Sequence, residues 1–286
     1  MPEDAVLVTG ASSGIGLETA LCLAQNGYRV FASMRNLDRR IALDAEAARR
    51  GVKVEILKLD NTIPETINET LEVIRGRAGG LYGLVNNAGS IIRGYFEDVS
   101  ESEARQVFEA NVFGTMAVTR AVLPLMREAG RGRIVLITSI GGRLGSPGNA
   151  VYCASKFALE GFGESLNQEV GSFGINVSLV EPGVVRTELF GRNRNTAAGA
   201  LEPSSPYAKW FQNLEVLTDR EVQAAVTSAG QVAGAVLRAL KAPTPRLRYV
   251  VGRRASLLLR LRRYLPGETF DRIWTRELTR RISSIS

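Results

Sequence analysis

The sequence predicts an α/β chain: a doubly wound parallel sheet of about seven strands with helices on both faces, forming a single domain with a C-terminal helical extension. Three observations carry this reading. Short apolar runs alternate with helical patterns, the order that builds βαβ units with right-handed crossovers. The first run feeds a glycine-rich turn, Gly10-x-x-x-Gly14-x-Gly16, close to the N-terminus. Glycine, asparagine, serine and proline then gather just past the strand ends, where open α/β sheets bind ligands.

Each element has its own local cause. Residues 5–9 are apolar and β-branched and end in Gly10, as a buried strand does. An amphipathic helix follows to about residue 26 and is stopped by Gly27. Residues 29–33 form a second strand, 37–50 a helix ending at Gly51, and 52–59 a third strand ending at Asp60. Pro64 suits the first turn of a helix running to about residue 77. Residues 81–85 are the fourth strand, followed by Asn86-Asn87-Ala88-Gly89. The pattern over 100–127 is helical with a bend near Gly114 and Pro124, and 133–138 is the fifth strand. A long helix spans 152–171, a sixth strand 175–180, a helix 221–240 and a last strand 247–251.

Composition narrows the chemistry. With 286 residues, 45% of them hydrophobic, there is apolar material for one large core. The chain has no histidine, which removes serine–histidine triads, imidazole bases and histidine-ligated zinc at once. A proton carrier must then be Tyr, Lys, Asp, Glu or a cofactor. No metal site is expected. Residues 241–286 carry 12 Lys+Arg against 3 Asp+Glu, a net +9 in a chain of net +7, so residues 1–240 net −2. The basic character belongs to the tail. Cys22 and Cys153 show no pairing or metal-ligand spacing, as in a reducing compartment. No secretory signal and no membrane span is expected, and the expected location is cytoplasmic.

The chemistry concentrates between Ser139 and Lys156. Tyr152 and Lys156 stand four apart on one helix face, and an ammonium there favours phenolate over phenol. Bringing a tyrosine from about 10 to about 7 takes roughly 4 kcal/mol, which one nearby ammonium plus the charge of an oxidised nicotinamide can supply. At the other end of the rim, the glycines of 10–16 allow a pyrophosphate to approach backbone N–H groups at a helix N-terminus. The second strand ends in Ser33-Met34-Arg35-Asn36, with an arginine and no carboxylate. Arg35 can pair with a 2′-phosphate, so NADP(H) is preferred over NAD(H); otherwise Arg35 is a solvated loop charge.

With Thr9–Gly16, Asn86–Gly89, Asn111, Ser139, Tyr152, Lys156 and Pro182-Gly183 in order, the chain resembles the short-chain dehydrogenase/reductase family, which has a Rossmann-type sheet. The resemblance covers residues 4–190 closely and extends loosely to 251; Met34-Arg35-Asn36-Leu37 and the tail look most like the hydroxysteroid/retinol dehydrogenase-like branch. The resemblance implies that Tyr152 is the general acid/base, that Lys156 lowers its pKa and holds the nicotinamide ribose, and that Ser139 holds the substrate oxygen. It implies that Asn111 positions a water in a proton path to Lys156. It places Gly10, Ser12, Ser13, Gly14, Ile15 and Gly16 at the phosphates and ribose, and Asp60 and Asn61 at the adenine. Asn87, Ala88 and Gly89 fall on the adenosine side, and Pro182, Gly183, Val185 and Thr187 at the nicotinamide.

The implied activity is NADP(H)-dependent interconversion of a lipophilic alcohol and its ketone or aldehyde by hydride transfer; the rival reading is a non-catalytic dinucleotide-binding sensor or scaffold. Residues 1–252 form the expected dinucleotide-binding domain, with a substrate lid over about 184–220, and 253–286 form a basic amphipathic extension. Leu144, Val151, Phe190, Tyr207 and Trp210 are candidate apolar walls for the substrate. The pattern over 255–265 sets Leu257, Leu258, Leu261 and Leu265 apart from Arg260, Arg262 and Arg263. Such a helix covers the pocket, packs on a partner subunit or contacts a membrane peripherally. The long helix from 152 suits a subunit interface in a homodimer or homotetramer, and no nucleic-acid partner is expected.

Overall fold

The computed structural model describes residues 4–188, 191 and 194–285. In chain order they form β1 (Ala5–Val8), α1 (Gly14–Gln25), β2 (Arg29–Met34), α2 (Ile41–Arg50), β3 (Val54–Lys58), α3 (Pro64–Ala78) and β4 (Gly83–Asn86). Then come α4 (Glu101–Phe108), α5 (Gly114–Glu128), β5 (Gly132–Ile137), α6 (Ala150–Val170) and β6 (Ile175–Pro182). The chain closes with α7 (Ala208–Gln223), α8 (Ala229–Lys241), β7 (Arg248–Val251), α9 (Arg253–Tyr264) and α10 (Gly267–Ser283). The strands make one parallel sheet in the order β3-β2-β1-β4-β5-β6-β7. Val6 lies opposite Val30 on one side and Gly83 on the other, so the winding reverses between β1 and β4. That reversal opens the crevice in which such sheets bind ligands.

Side-chain alternation along the strands builds two cores. Ala5 and Leu7 of β1, with Ile134 and Leu136 of β5, pack against Ile67 and Ile74 of α3, Val118 and Val122 of α5 and Leu166 of α6. Val6 and Val8, with Val135 and Ile137, pack against Leu17 and Leu21 of α1 and Val232 and Val236 of α8. Both faces of the sheet are therefore covered, and its strands are apolar on both sides. Leu7 is fully buried, and truncating it to alanine would cost about 2–5 kcal/mol.

Four local expectations change. The helix expected over 221–240 is two: α7 runs on to Gln223, and α8 starts afresh at Ala229. Ser228 and Gln231 form a capping box there, which satisfies the new N-terminus. The stretch 37–50 opens with a turn of 3₁₀-helix, Leu37–Arg40. The bend expected near Gly114 is a π-helical segment, Glu109–Phe113, while Pro124 sits within α5. The extension contains a second helix, α10, whose Phe270 and Ile282 are buried. Phe270 and Trp274 stack one turn apart, ring centroids 6.3 Å from each other.

Candidate active site

The glycine turn between β1 and α1 is shaped by what glycine lacks. Gly10 adopts φ +68°, and a Cβ there would lie 2.8 Å from Ala88 Cα. A Cβ on Gly16 would meet the Gly10 carbonyl oxygen at 2.4 Å and Asn87 Nδ2 at 2.5 Å. Asn87 uses its amide to brace this turn, Nδ2 donating to the Thr9 carbonyl at 2.9 Å and the Gly10 carbonyl at 3.0 Å. Thr9 returns the contact: its Oγ1 accepts from the backbone N–H groups of Asn87 and Ala88, each at 3.0 Å. Ser13 sits at the N-cap of α1 without making a side-chain cap, so among the described residues its hydroxyl and the first N–H groups of the helix are left for an anion. A cleft of about 380 Å³ opens beside Gly14, lined also by Arg186, Thr187, Glu188, Gly191 and Val222. Thr187 closes on the turn; a Cβ on Gly14 would come 3.3 Å from Thr187 Cβ. A bare, anion-ready helix terminus with a cradle that any Cβ would fill fits the pyrophosphate of a dinucleotide.

The flanks of this cradle are fixed in different ways. Arg35 is exposed past the end of β2 and makes no hydrogen bond or ion pair among the described residues. Asp60 Oδ1 accepts from Thr62 Oγ1 at 2.7 Å, which shapes the turn after β3. Asn61 Nδ2 donates to the Ala110 carbonyl at 2.7 Å, reaching into the π-helical segment. Gly114 makes that reach possible, since a Cβ there would sit 2.6 Å from Asn61 Nδ2. Gly183 N–H donates to the Val251 carbonyl at 2.9 Å, and Val185 is buried and bridges to Thr227.

The π-helical segment turns Asn111 inward, where it is fully buried. Its Oδ1 accepts from Ser90 N–H at 2.7 Å, and its Nδ2 donates to the Ser90 carbonyl at 2.9 Å and to Ser155 Oγ at 3.0 Å. Ser155 in turn donates to the Tyr152 carbonyl at 2.7 Å, tying Asn111 to the helix that carries the tyrosine. Gly89 stands between Asn111 and Lys156: a Cβ there would lie 2.9 Å from Asn111 Oδ1 and 3.9 Å from Lys156 Nζ. The sequence gives Thr9, which opens the glycine motif, and Ser155 no role of their own. Ser155 lies inside Tyr152-Cys153-Ala154-Ser155-Lys156, but only the fold shows what its hydroxyl touches.

Ser139 follows β5, and its Oγ accepts from Gly141 N–H at 3.0 Å, turning the chain into a short 3₁₀ segment. A Cβ on Gly141 would sit 3.3 Å from Ser139 Oγ and 3.4 Å from Tyr152 Cε1, so serine and tyrosine share one small space. Lys156 Nζ lies 5.8 Å from the Tyr152 ring centroid and donates to the Ile137 carbonyl at 2.9 Å. The four residues Asn111, Ser139, Tyr152 and Lys156 are thus brought together beyond the ends of β4 and β5.

Their electrostatics add burial to the sequence reading, which assigned the shift of the tyrosine to the ammonium together with an oxidised nicotinamide. Burial pushes the Tyr152 phenol up to about 12, with the Ser139 hydrogen bond opposing. Burial likewise pushes Lys156 down to about 8, with the negative charge of Glu160 opposing. Lys156 is buried and Tyr152 keeps only part of its surface in contact with solvent, so the charged form of each loses hydration. Moving the phenol from about 12 to about 7 needs about 7 kcal/mol. The oxidised nicotinamide expected from the sequence would bring a second positive charge to this phenol.

The candidate substrate walls lie on several elements. Leu144 and Val151 are buried on either side of the 145–150 loop. Tyr207 stacks on Tyr95 at 4.9 Å and donates to Glu97 at 2.9 Å, at the edge of the lid. Trp210 is half-exposed on α7, and Phe190 lies outside the described residues. A residue the sequence did not flag organises this side. Arg93, 2% exposed, donates to Glu215 at 2.6 Å, Thr218 at 2.8 Å and Asn149 at 3.1 Å, joining the loop after β4 to α7 and to the start of α6.

The extension packs on its own chain. Trp274 Nε1 donates to the Gly145 carbonyl at 3.0 Å, Arg262 donates to the Arg143 carbonyl, and Ile282 joins Val151, Phe211, Leu214 and Leu217 in a third apolar cluster. Cys153 is buried near Ser146, and burial pushes its thiol up, away from reactivity. Among the described residues, no helix is long and apolar enough to cross a membrane.

Comparison with known proteins agrees with this geometry. The short chain dehydrogenase family model matches residues 4–198. Human retinol dehydrogenase 8 is 37% identical over 264 residues, covering 90% of this chain and 84% of that protein. Human 17-beta-hydroxysteroid dehydrogenase type 1 is 36% identical over 271 residues, covering 92% and 81% respectively. The crystal structure of a short-chain dehydrogenase from Streptomyces avermitilis superposes with a TM-score of 0.76 at 34% identity, over 95% of this chain and 98% of that one. The chain belongs to the short-chain dehydrogenase/reductase family, in its hydroxysteroid/retinol dehydrogenase-like branch, and is an NAD(P)-dependent oxidoreductase.

Proposed function

We propose that the protein is an NADP(H)-dependent oxidoreductase that interconverts a lipophilic alcohol and its ketone or aldehyde. The observation that carries this reading is the shared pocket of Ser139, Tyr152 and the buried Lys156, on the same rim as the glycine turn. The bound nicotinamide cofactor supplies or accepts the hydride and, when oxidised, adds a positive charge. The protein's own residues do the rest. Tyr152 gives a proton to the substrate oxygen or takes it. Ser139 holds that oxygen with a second hydrogen bond, aimed at the charge that develops on it. Lys156 keeps an ammonium near the phenol, and Asn111 fixes the segment through which its proton exchanges.

Arg35 supports the phosphate-bearing cofactor, being a free cation where a carboxylate would repel the 2′-phosphate. Similarity to a retinol and a hydroxysteroid dehydrogenase supports the lipophilic substrate, as do the apolar residues under the lid. A sensor or scaffold is disfavoured by the intact set of Asn111, Ser139, Tyr152 and Lys156, since binding alone does not require all four. For the assembly, the half-exposed Phe113 and Phe157 near and on α6 support a homodimer across that face. On α9, exposed Leu257 and Leu261 beside arginines support a peripheral contact with an anionic membrane, which flotation with anionic vesicles tests.

The test of activity is oxidation of NADPH and reduction of NADP⁺ over a panel of steroids, retinoids, acyl ketones and sugars. Turnover with lipophilic members, faster with NADPH than with NADH, is expected. Turnover confined to sugars, or equal with both cofactors, contradicts the reading.

A further inference from the structure

Two buried carboxylates lie behind the reacting face. Glu160 follows Lys156 by one turn of α6, and Glu181 ends β6 just before Pro182-Gly183; they are 5% and 0% exposed. One arginine holds both. Arg248 Nε, from β7, is 3.0 Å from Glu160 Oε2 and 3.0 Å from Glu181 Oε1. Arg143 donates to the same Glu181 oxygen at 3.1 Å, and Glu164 takes the other end of Arg248. The remaining oxygens, Glu160 Oε1 and Glu181 Oε2, are buried and have no hydrogen-bond partner among the described residues. Two buried acceptors without a donor, on carboxylates that share one arginine, are a costly arrangement if both groups are ionised. One proton held by the pair removes the defect, because a protonated carboxyl becomes a donor.

We propose that Glu160 and Glu181 hold one proton between them at neutral pH and act as a positioning pair that couples the Ser139 turn, the Tyr152/Lys156 helix and the Pro182-Gly183 segment. All three arms meet at this pair. Gly142, in the turn that follows Ser139, packs so tightly that a Cβ there would lie 2.8 Å from the Lys156 carbonyl and 3.0 Å from Glu160 Cγ. Arg143, the next residue, reaches Glu181, while α9 closes over the turn through Arg262 and the Arg143 carbonyl. The charged groups facing the pair are Arg143 from the turn, Arg248 from β7, and Lys156 and Glu164 from α6. Burial pushes the Glu181 carboxyl up to about 7, Glu160 adding to the rise and the two arginines opposing it. Glu160 also raises the proton affinity of Lys156, so the protonation of the pair reaches the reacting ammonium.

The experiment is infrared spectroscopy of the full chain in D₂O at pH 7, with and without ¹³C-glutamate. A protonated-carboxyl band that moves with the label is expected in the wild type. It should vanish in both Glu160→Gln and Glu181→Gln, because the glutamine amide donates to the surviving carboxylate and lets it ionise. No such band in the wild type, or a band that survives in both variants, overturns the proposal. Turnover is not needed for this result, so it stands or falls apart from the oxidoreductase reading.

The positioning role has a second readout, the pH profile of kcat. Glu160→Gln removes the negative neighbour that raises Lys156 and should move the Lys156-dependent limb down, whereas Glu181→Gln takes the shared proton out of the pair and should move it up, each by about one unit. Loss of packing alone would move neither limb. Unmoved profiles, or shifts of the same sign, overturn the coupling.

Discussion

On the cofactor side of the rim, the Asn87 amide and the Thr9 hydroxyl lock onto backbone groups of the Gly10 turn and of Asn87-Ala88, with separations at Gly10 and Gly16 that leave no room for a single added carbon. On the lid side, Arg93, Arg194, Glu215 and Asp219 hold α7 through side-chain ion pairs, Arg194 reaching Glu215 at 2.9 Å and Asp219 at 2.8 Å. The first construction presents one shape to a ligand common to a whole family. The second can be re-cut by exchanging side chains without disturbing the sheet. A fold that keeps its cofactor and changes its substrate needs that division. Tyr152 and Lys156 stand where the two constructions meet.

The largest test of this division is Tyr152→Phe. Removing the phenolic O–H should lower kcat about 10²–10⁴-fold while leaving the Kd for NADPH nearly unchanged, measured by steady-state kinetics and fluorescence titration. A comparable loss of NADPH affinity would place the tyrosine in the cofactor construction instead. Next comes Arg93→Ala, which leaves Glu215 paired with Arg194 alone and takes the buried donor away from Asn149 and Thr218. It should cost about 1–3 kcal/mol in denaturant unfolding and raise KM for substrate more than for NADPH. An equal rise in both would show that the lid and the cradle are one unit.

Lys156→Met separates function from stability. The buried ammonium has its pKa depressed from 10.5 to about 8, so between those values the unfolded chain binds more protons than the folded one. Wild-type stability should therefore rise with pH across that window, and below it the full cost of about 3 kcal/mol is present. The methionine variant should lack that rise. It should be about 2 kcal/mol more stable at pH 7, after about 1 kcal/mol for the lost bond to the Ile137 carbonyl, and inactive. Unfolding midpoints from pH 7 to 10.5 decide it. The smallest effect is Arg35→Ala, expected to weaken NADPH binding about tenfold with NADH unchanged, equivalent to about 1.4 kcal/mol. Equal losses for both cofactors would leave Arg35 a solvated charge.

The cofactor half was legible in the sequence because glycines and strand-end residues there have local causes: a positive φ at Gly10 and a close approach at Gly16 belong to single positions. The seven strands were legible for the same reason, each being a short apolar run closed by a turn residue. The lid half was not. Arg93 reads as an ordinary loop charge until α7, some 120 residues later, folds back to cover it. Glu160 and Glu181 look like a helix charge and a strand-end charge, and only the sheet order brings β7 and Arg248 between them. For Tyr152 the sequence named the ammonium and the oxidised nicotinamide but not burial, which raises the phenol and lowers the lysine and depends on what packs over both. Helix α10 was within reach, since Phe270, Trp274, Leu278 and Ile282 recur every four residues.

The central claim is that Tyr152 carries the proton once a second positive charge shares its pocket. It is tested most directly by ultraviolet titration of tyrosinate, taking the wild type minus Tyr152→Phe, with and without NADP⁺. The phenol should ionise near pH 12 in the cofactor-free protein and several units lower, towards neutrality, with NADP⁺ bound. A Tyr152 that stays near 12 with the oxidised cofactor in place would contradict the account.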